Sequence, residues 1–261
     1  MATIVTFHAH PDDESIATGG VMRKAADEGH RVVLVVATDG EQGEIPEGLL
    51  AEGETLVQRR FAETRAAADV LGVKRLEFLG YKDSGMMGWD ANTAPGSFWT
   101  APVEEAAAKL AAILVEERAD VLTVYDDNGG YGHPDHIQVH RVGMRAAELA
   151  GTPRVYQSTM NREAAIANWT AIAAETGAEM PDFSEREFGK PEAIITARVD
   201  VSAYAPVKRT AMRAHTSQIS DDSFFLSLPD EHFNRTFGTE WFIRDGQGPG
   251  ITETDLLAGL N

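Results

Sequence analysis

No cysteine occurs among the 261 residues. That absence removes disulfide frameworks, thiolate nucleophiles and cysteine-based structural zinc in one step, so any bound metal has to be held by histidine and carboxylate. Cationic side chains are scarce as well: 23 Lys and Arg stand against 41 Asp and Glu, a formal net charge of -18. Phosphate backbones and anionic membranes are bound by clustered cations, and no cluster is found, so neither nucleic acid nor a membrane is expected as a partner. The acidity is spread over helical stretches and reads as a solvated surface. Long apolar runs are missing too, none approaching the roughly 20 residues of a membrane span. The N-terminus passes directly into Thr3 to Phe7 without the basic segment and apolar core of an export signal, and cytoplasm is the expected compartment.

What remains is ordinary globular material, 43% apolar and 25% charged. It suits one sizeable α/β domain over residues 1–261. Strands are predicted at Thr3 to Phe7, Arg31 to Ala37, Arg75 to Leu79, Val121 to Tyr125, Arg154 to Ser158 and, later, Ala193 to Val201. Helical periodicity fills Glu14 to Glu28, Thr55 to Leu71, Pro102 to Glu117 and Pro134 to Leu149. This alternation predicts a Rossmann-like, doubly wound, mostly parallel sheet with helices on both faces. Residues 159–192 read as an insertion or small subdomain, helical over Asn161 to Thr176 and irregular over Pro181 to Pro191. Residues 202–261 read as a C-terminal extension, one helix at Pro206 to Ala214 followed by a loop-rich tail.

Two near-copies of one phrase stand out, His10-Pro11-Asp12-Asp13 and His133-Pro134-Asp135-His136. Each follows a strand and opens a helix, and proline is tolerated in a first helical turn. In the strand order 3-2-1-4-5 the first and fourth strands are neighbours, and the crevice between their C-terminal ends is where such sheets bind ligands. Both phrases fall there. A dinucleotide is the usual guest of this fold, but a glycine-rich fingerprint is absent after the first strand, and two carboxylates in its place would repel a pyrophosphate. A metal suits the residues better. His10 and Asp13 are one helical turn apart, and His136 is the natural third ligand from the facing junction, a set that suits catalytic zinc with an open position or ferrous iron. Either phrase alone could be a pair of helix caps. Asp126 and Asp127 could compete as ligands but more simply form a turn with Asn128-Gly129. His140 reads as an outer or packed histidine, and His8 as packing against the sheet.

With His-Pro-Asp-Asp-Glu after the first strand and Gly132-His133-Pro134-Asp135-His136 after the fourth, the chain resembles the LmbE-like, or PIG-L, family of zinc-dependent N-deacetylases. The likeness runs from about Ile4 to Ser158 and resumes at Ala214-His215-Thr216-Ser217-Gln218. It implies that His10, Asp13 and His136 hold zinc, that Asp12 is the general base, and that His133 is the general acid or oxyanion partner. Asp135 would orient His133 and keep it cationic, and Tyr131 would help polarise the substrate carbonyl. Arg60, Asp83 and Glu41, with Glu44 nearby, resemble sugar-binding positions of the mycothiol-pathway branch, although Asp39-Gly40-Glu41-Gln42-Gly43-Glu44 is only similar to its pattern. The implied substrate is a small N-acylated amino sugar from which an acetyl group is removed. An amidase for larger acyl or thiol-conjugate amides, a non-catalytic sugar-binding module and a nucleotide-dependent oxidoreductase are the alternatives. Trp89, Trp99 and Met86 to Met87 are candidates to line a lid formed by the long connections Gly40 to Gly53 and Asp83 to Ala101.

Overall fold

A computed structural model of the chain describes residues 1–177 and 187–260. Residues 181–186, part of the segment expected to be irregular, lie outside the described residues. Five parallel strands form most of one sheet: β1 Thr3–His8, β2 Arg31–Thr38, β3 Arg75–Tyr81, β4 Val121–Tyr125 and β5 Arg154–Thr159. Two further strands, β6 Ala197–Asp200 and β7 Thr239–Arg244, complete the order β3-β2-β1-β4-β5-β7-β6, with β7 antiparallel to both of its neighbours.

The central strands are apolar because both of their faces are covered. Side chains alternate across the sheet, so Val5, Phe7, Val33, Val35, Leu122 and Val124 enter one core and Ile4, Val32, Leu34, Val36 and Val121 the other. The helices that cover those cores are α1 Asp13–Ala17, α2 Gly19–Asp27, α3 Leu56–Leu71, α4 Val103–Glu117, α5 Pro134–Ala150, α6 Arg162–Thr176 and α7 Ala205–Ala214. Leu110 and Leu114 of α4 and Val139 and Val142 of α5 seal the first core; Val21 and Met22 of α2, Leu71 of α3 and Ala211 of α7 seal the second. The chain therefore changes face between β1 and β4, and the crevice opens there. Two short helices, α8 Phe224–Ser227 and α9 Asp230–Phe237, follow and pack with α7 on Met212, Leu226, Phe233 and Phe237. Among the described residues no helix is long and apolar enough to cross a membrane.

Three expectations change. The strand expected over Ala193 to Val201 shortens to β6, with a 3-10 turn over Glu192–Ile194 before it. The helix expected over Glu14 to Glu28 breaks at Thr18 into α1 and α2, and the tail expected to be loop-rich contains α8, α9 and β7. One residue explains both the break and the unexpected strand. Glu240 of β7 faces inward, only 3% exposed, and its carboxylate accepts from the backbone N–H groups of Gly20 (2.8 Å) and Val21 (2.9 Å) and from Lys208 Nζ (2.6 Å). It thus supplies the cap that the N-terminus of α2 lacks locally, where negative charge also suits the helix dipole. Gly20 is required at this contact, because a Cβ there would come within 2.5 Å of Val201. A charge at an inward position hides the apolar alternation by which a strand is read. Removing it strands Lys208 and two amides in the interior, so Glu240→Ala is expected to cost about 3–5 kcal/mol, read as a lower urea midpoint with the far-ultraviolet spectrum retained.

Candidate active site

The β1 and β4 junctions meet at the same end of the sheet. His10 Nδ1 lies 3.2 Å from Asp13 Oδ2, His136 Nε2 lies 3.3 Å from the same oxygen, and the two nitrogens are 3.3 Å apart. Three electron-rich atoms so close repel one another unless positive charge lies among them. Ligands about 2.0–2.1 Å from a tetrahedral ion stand about 3.3 Å from each other, so the triangle fits one divalent metal. Other groupings exist: His133 joins His10 and His136, and Asp83 and Asp135 gather at His10, with candidate atoms within 4.8 Å. The Asp13 triangle is tighter than the first and leaves the second to do something else.

That other task is to orient the ligands. His10 Nε2 points away from the triangle at Asp135 Oδ2 (3.2 Å), with Asp83 Oδ1 at 3.5 Å. Asp135 is fully buried and also accepts from Ser84 N–H (2.8 Å) and Ser84 Oγ (2.5 Å). On the other histidine, Nδ1 lies 3.2 Å from the Gly129 carbonyl, which fixes the proton on Nδ1 and leaves Nε2 free to ligate. Gly129 has φ +62, and a Cβ there would come within 2.5 Å of His136 Cβ, so the close approach needs glycine. Tyr125, the last residue of β4, stacks on His136 at 4.3 Å between centroids and bonds His8 through its hydroxyl.

Several expected roles move. The Asp135 carboxylate serves His10 and not His133; only its backbone N–H reaches His133 Nδ1, at 3.2 Å. Burial, then the neighbouring His10 and His136, push His133 down to about 3. Because its Nδ1 accepts, its proton sits on Nε2 as a donor. Arg60 and Asp83 are engaged within the protein and also line the cavity. The Arg60 guanidinium donates to the carbonyls of Gly40 and Pro11 and to Asp12 Oδ2 (3.2 Å), while Asp83 accepts from Gly85 N–H (2.8 Å). Glu41 pairs with Lys82 at the surface and does not line the cavity. Asp126 builds the turn below Tyr131, accepting from Asn128 and Gly130 N–H. His140 bonds the Tyr125 carbonyl, and Trp99 lies under Arg141 rather than in the site.

Asp12 is adjacent to the triangle without joining it. It has φ 117, a region that costs a non-glycine residue about 1–3 kcal/mol. Burial pushes its carboxyl up to about 6, against the pull of Arg60. The neighbouring Asp13 is drawn well below the usual carboxylate range, burial notwithstanding, by His136 and His10. Two adjacent aspartates thus have opposite proton affinities, which separates a proton carrier from a ligand.

A cavity of about 960 Å³ opens over these groups. Asp12, Gln42, Gly43, Met86 and Trp89 line it, as do Trp169 and Ile172 of α6, Phe224, Phe225 and Phe237 near α8 and α9, and Trp241 of β7, with Trp169 stacked on Phe224. Tyr131 lines it too, 39% exposed. The aromatic part of the lining is not legible as a site in the sequence, since those residues form no motif.

Residues 5–147 match the family described as PIG-L: GlcNAc-PI de-N-acetylase. The chain belongs to this family. It is 42% identical, over 98% of its length and 88% of the relative's, to a Streptomyces griseus protein named 1D-myo-inositol 2-acetamido-2-deoxy-alpha-D-glucopyranoside deacetylase. Among solved structures, N,N'-diacetylchitobiose deacetylase from Pyrococcus horikoshii aligns with a TM-score of 0.59 and 25% identity, over 93% of this chain and 83% of that one. A 4-carboxy-2-hydroxymuconate hydratase from a pseudomonad aligns with a TM-score of 0.60 at 16% identity, over 97% of this chain and 99% of that one. That likeness concerns the fold alone.

For this PIG-L family member the reassignment of Asp135 has a measurable outcome. Asp135→Ala is expected to weaken metal affinity about 10–100-fold in chelator competition, because His10 loses the partner that orients it. Unchanged affinity with a loss confined to kcat would return Asp135 to His133.

Proposed function

We propose that this PIG-L family protein is a zinc-dependent hydrolase that removes the acetyl group from an N-acetylglucosaminyl substrate, an N-acetylglucosaminyl-inositol being the class favoured by its relative. The observation that carries this reading is the donor triangle of His10, Asp13 and His136 beside Asp12, a buried carboxylate of raised proton affinity that is not one of the donors. The same donors accept ferrous iron. Zinc, when bound by them, supplies Lewis acidity that lowers the pKa of water from about 15.7 toward about 7.

The remaining roles belong to the chain. Asp12 takes the proton of the attacking water and returns it to the departing sugar nitrogen as the carbon–nitrogen bond breaks, leaving acetate and a free amine. A group whose affinity for protons is intermediate between those of the donor and the acceptor serves both transfers. His133, neutral and protonated on Nε2, donates to the carbonyl oxygen as it gains charge. Tyr131 offers a second donor from the cavity lining. Each such donor contributes a few kcal/mol when it is aligned before the reaction begins. Arg60 and Asp83 hold Asp12 and His10, and both also line the cavity, where the sugar can meet them.

Asp12→Asn is expected to retain zinc and lose about 100- to 10,000-fold in kcat, followed by acetate release from an N-acetylglucosaminide. His136→Ala is expected to lose the zinc itself, measured by metal analysis after dialysis. Full turnover by Asp12→Asn with normal metal content would remove the general base from this scheme. Comparable rates for acetyl and bulky acyl conjugates would favour the amidase alternative instead.

A further inference from the structure

We propose that His215 is a positioning residue for Asp12, acting through Glu14. The proposal rests on the reading of Asp12 as the general base and adds what holds that base in place. No role has so far attached to the segment Ala214 to Gln218, and His215 stands 201 positions along the chain from the Glu14 that it meets.

A positive φ at an aspartate persists only where its surroundings over-determine it. Asp12 is held at three points. Arg60 reaches the Pro11 carbonyl and Asp12 Oδ2 from α3, and the Asp12 N–H donates to Glu14 Oε2 at 3.0 Å. The third point depends on Glu14 staying where it is. Glu14 and His215 are each 0% exposed, and His215 Nε2 lies 2.6 Å from Glu14 Oε1, with Ser15 Oγ donating to the same oxygen at 2.7 Å. A carboxylate only accepts, so His215 Nε2 carries the proton between them. A buried carboxylate deprived of its strongest donor pulls in water or turns away. Either event frees the Asp12 N–H and lets the backbone relax to negative φ, which swings the carboxylate off the reacting atoms.

The segment carrying His215 also grips α3. Thr216 Oγ1, Ser217 N–H and Ser217 Oγ all donate to Glu63, at 2.8, 2.9 and 2.6 Å. Glu63 lies one helical turn from Arg60. One short segment at the end of α7 therefore secures the two supports of Asp12, the Glu14 carboxylate and the helix that bears Arg60. His215 touches neither the donor triangle nor the cavity, which makes it a support for the base rather than a member of the reacting set.

The experiment compares zinc-loaded His215→Leu, His215→Gln and Asp12→Asn, with rates per bound zinc. His215→Leu is expected to keep zinc content and KM while kcat falls about 100-fold, the cost of a base displaced by about 1 Å. His215→Gln, whose amide nitrogen occupies the place of Nε2, is expected to restore most of the rate. If the leucine variant is insoluble, His215→Asn, whose amide stops short of Glu14, takes its place. A second readout follows the strain: Asp12→Gly, which loses the Arg60 contact in either background, is expected to shift the urea midpoint more favourably in the wild type than beside His215→Leu. Wild-type kcat in His215→Leu with Asp12→Asn inactive overturns the positioning role, as does an equal Asp12→Gly shift in both backgrounds. Activity in Asp12→Asn overturns the base assignment and this proposal with it.

Discussion

Pairing of β1 with β4 in the middle of the sheet is the constraint on which the site depends. Register Ile4↔Val121 through Thr6↔Thr123 brings two strand ends level, and the helices that follow leave on opposite faces. Without that pairing, His10 and Asp13 would be a helical turn with no counterpart, and His136 a buried histidine beside a tyrosine. With it, three lone-pair-bearing atoms converge at 3.2–3.3 Å, an arrangement that calls for a cation. The apolar content of β1, β2 and β4, buried on both faces, is what holds the ends in place against that mutual repulsion.

Around the convergence the protein has placed charges in order. Asp135 and Asp83 face the outer nitrogen of His10, and their own oxygens accept from Ser84, Gly85 and neighbouring amides. Buried charge is tolerated here because it is paired and hydrogen-bonded. Arg60 and Asp12 form a second tier, His215 and Glu14 a third. The hydrogen bonds among these groups restrict their rotamers, although Arg60 Nε and His215 Nδ1 are buried without a partner among the described residues, and the reacting side chains inherit that restriction.

Much of this is legible in the sequence, for reasons that can be named. The doubled His-Pro-Asp phrase announces its chemistry because its residue types do little else at a strand end, and the alternation of apolar runs with helical periods gives the sheet order from β1 to β5. Asp135 reads as a partner of the wrong histidine because His133 is two residues away in the chain while His10 is 125 away. Separation along the chain carries no information on which a buried carboxylate will choose. Arg60 resembles a sugar contact because its spacing from the motif is compatible with that role; its hold on Pro11 and Asp12, from a place in the cavity lining, becomes visible only in three dimensions. β7 escapes notice because Glu240 occupies the position where an apolar side chain would have marked a strand. The aromatic lining of the cavity gathers residues from α6, α8, α9 and β7, whose neighbours in space are remote in the chain.

The long reach of Glu240 to Gly20, and of His215 to Glu14, has a bearing on how the protein matures. A chain emerging from a ribosome exposes β1 to β5 first, and those strands can collapse on their helices with local crossovers only. The amides at the start of α2 and the carboxylate of Glu14 wait for partners that are synthesised 220 and 201 residues later. The scaffold can therefore assemble early, while competence for chemistry arrives with the polypeptide that follows β6.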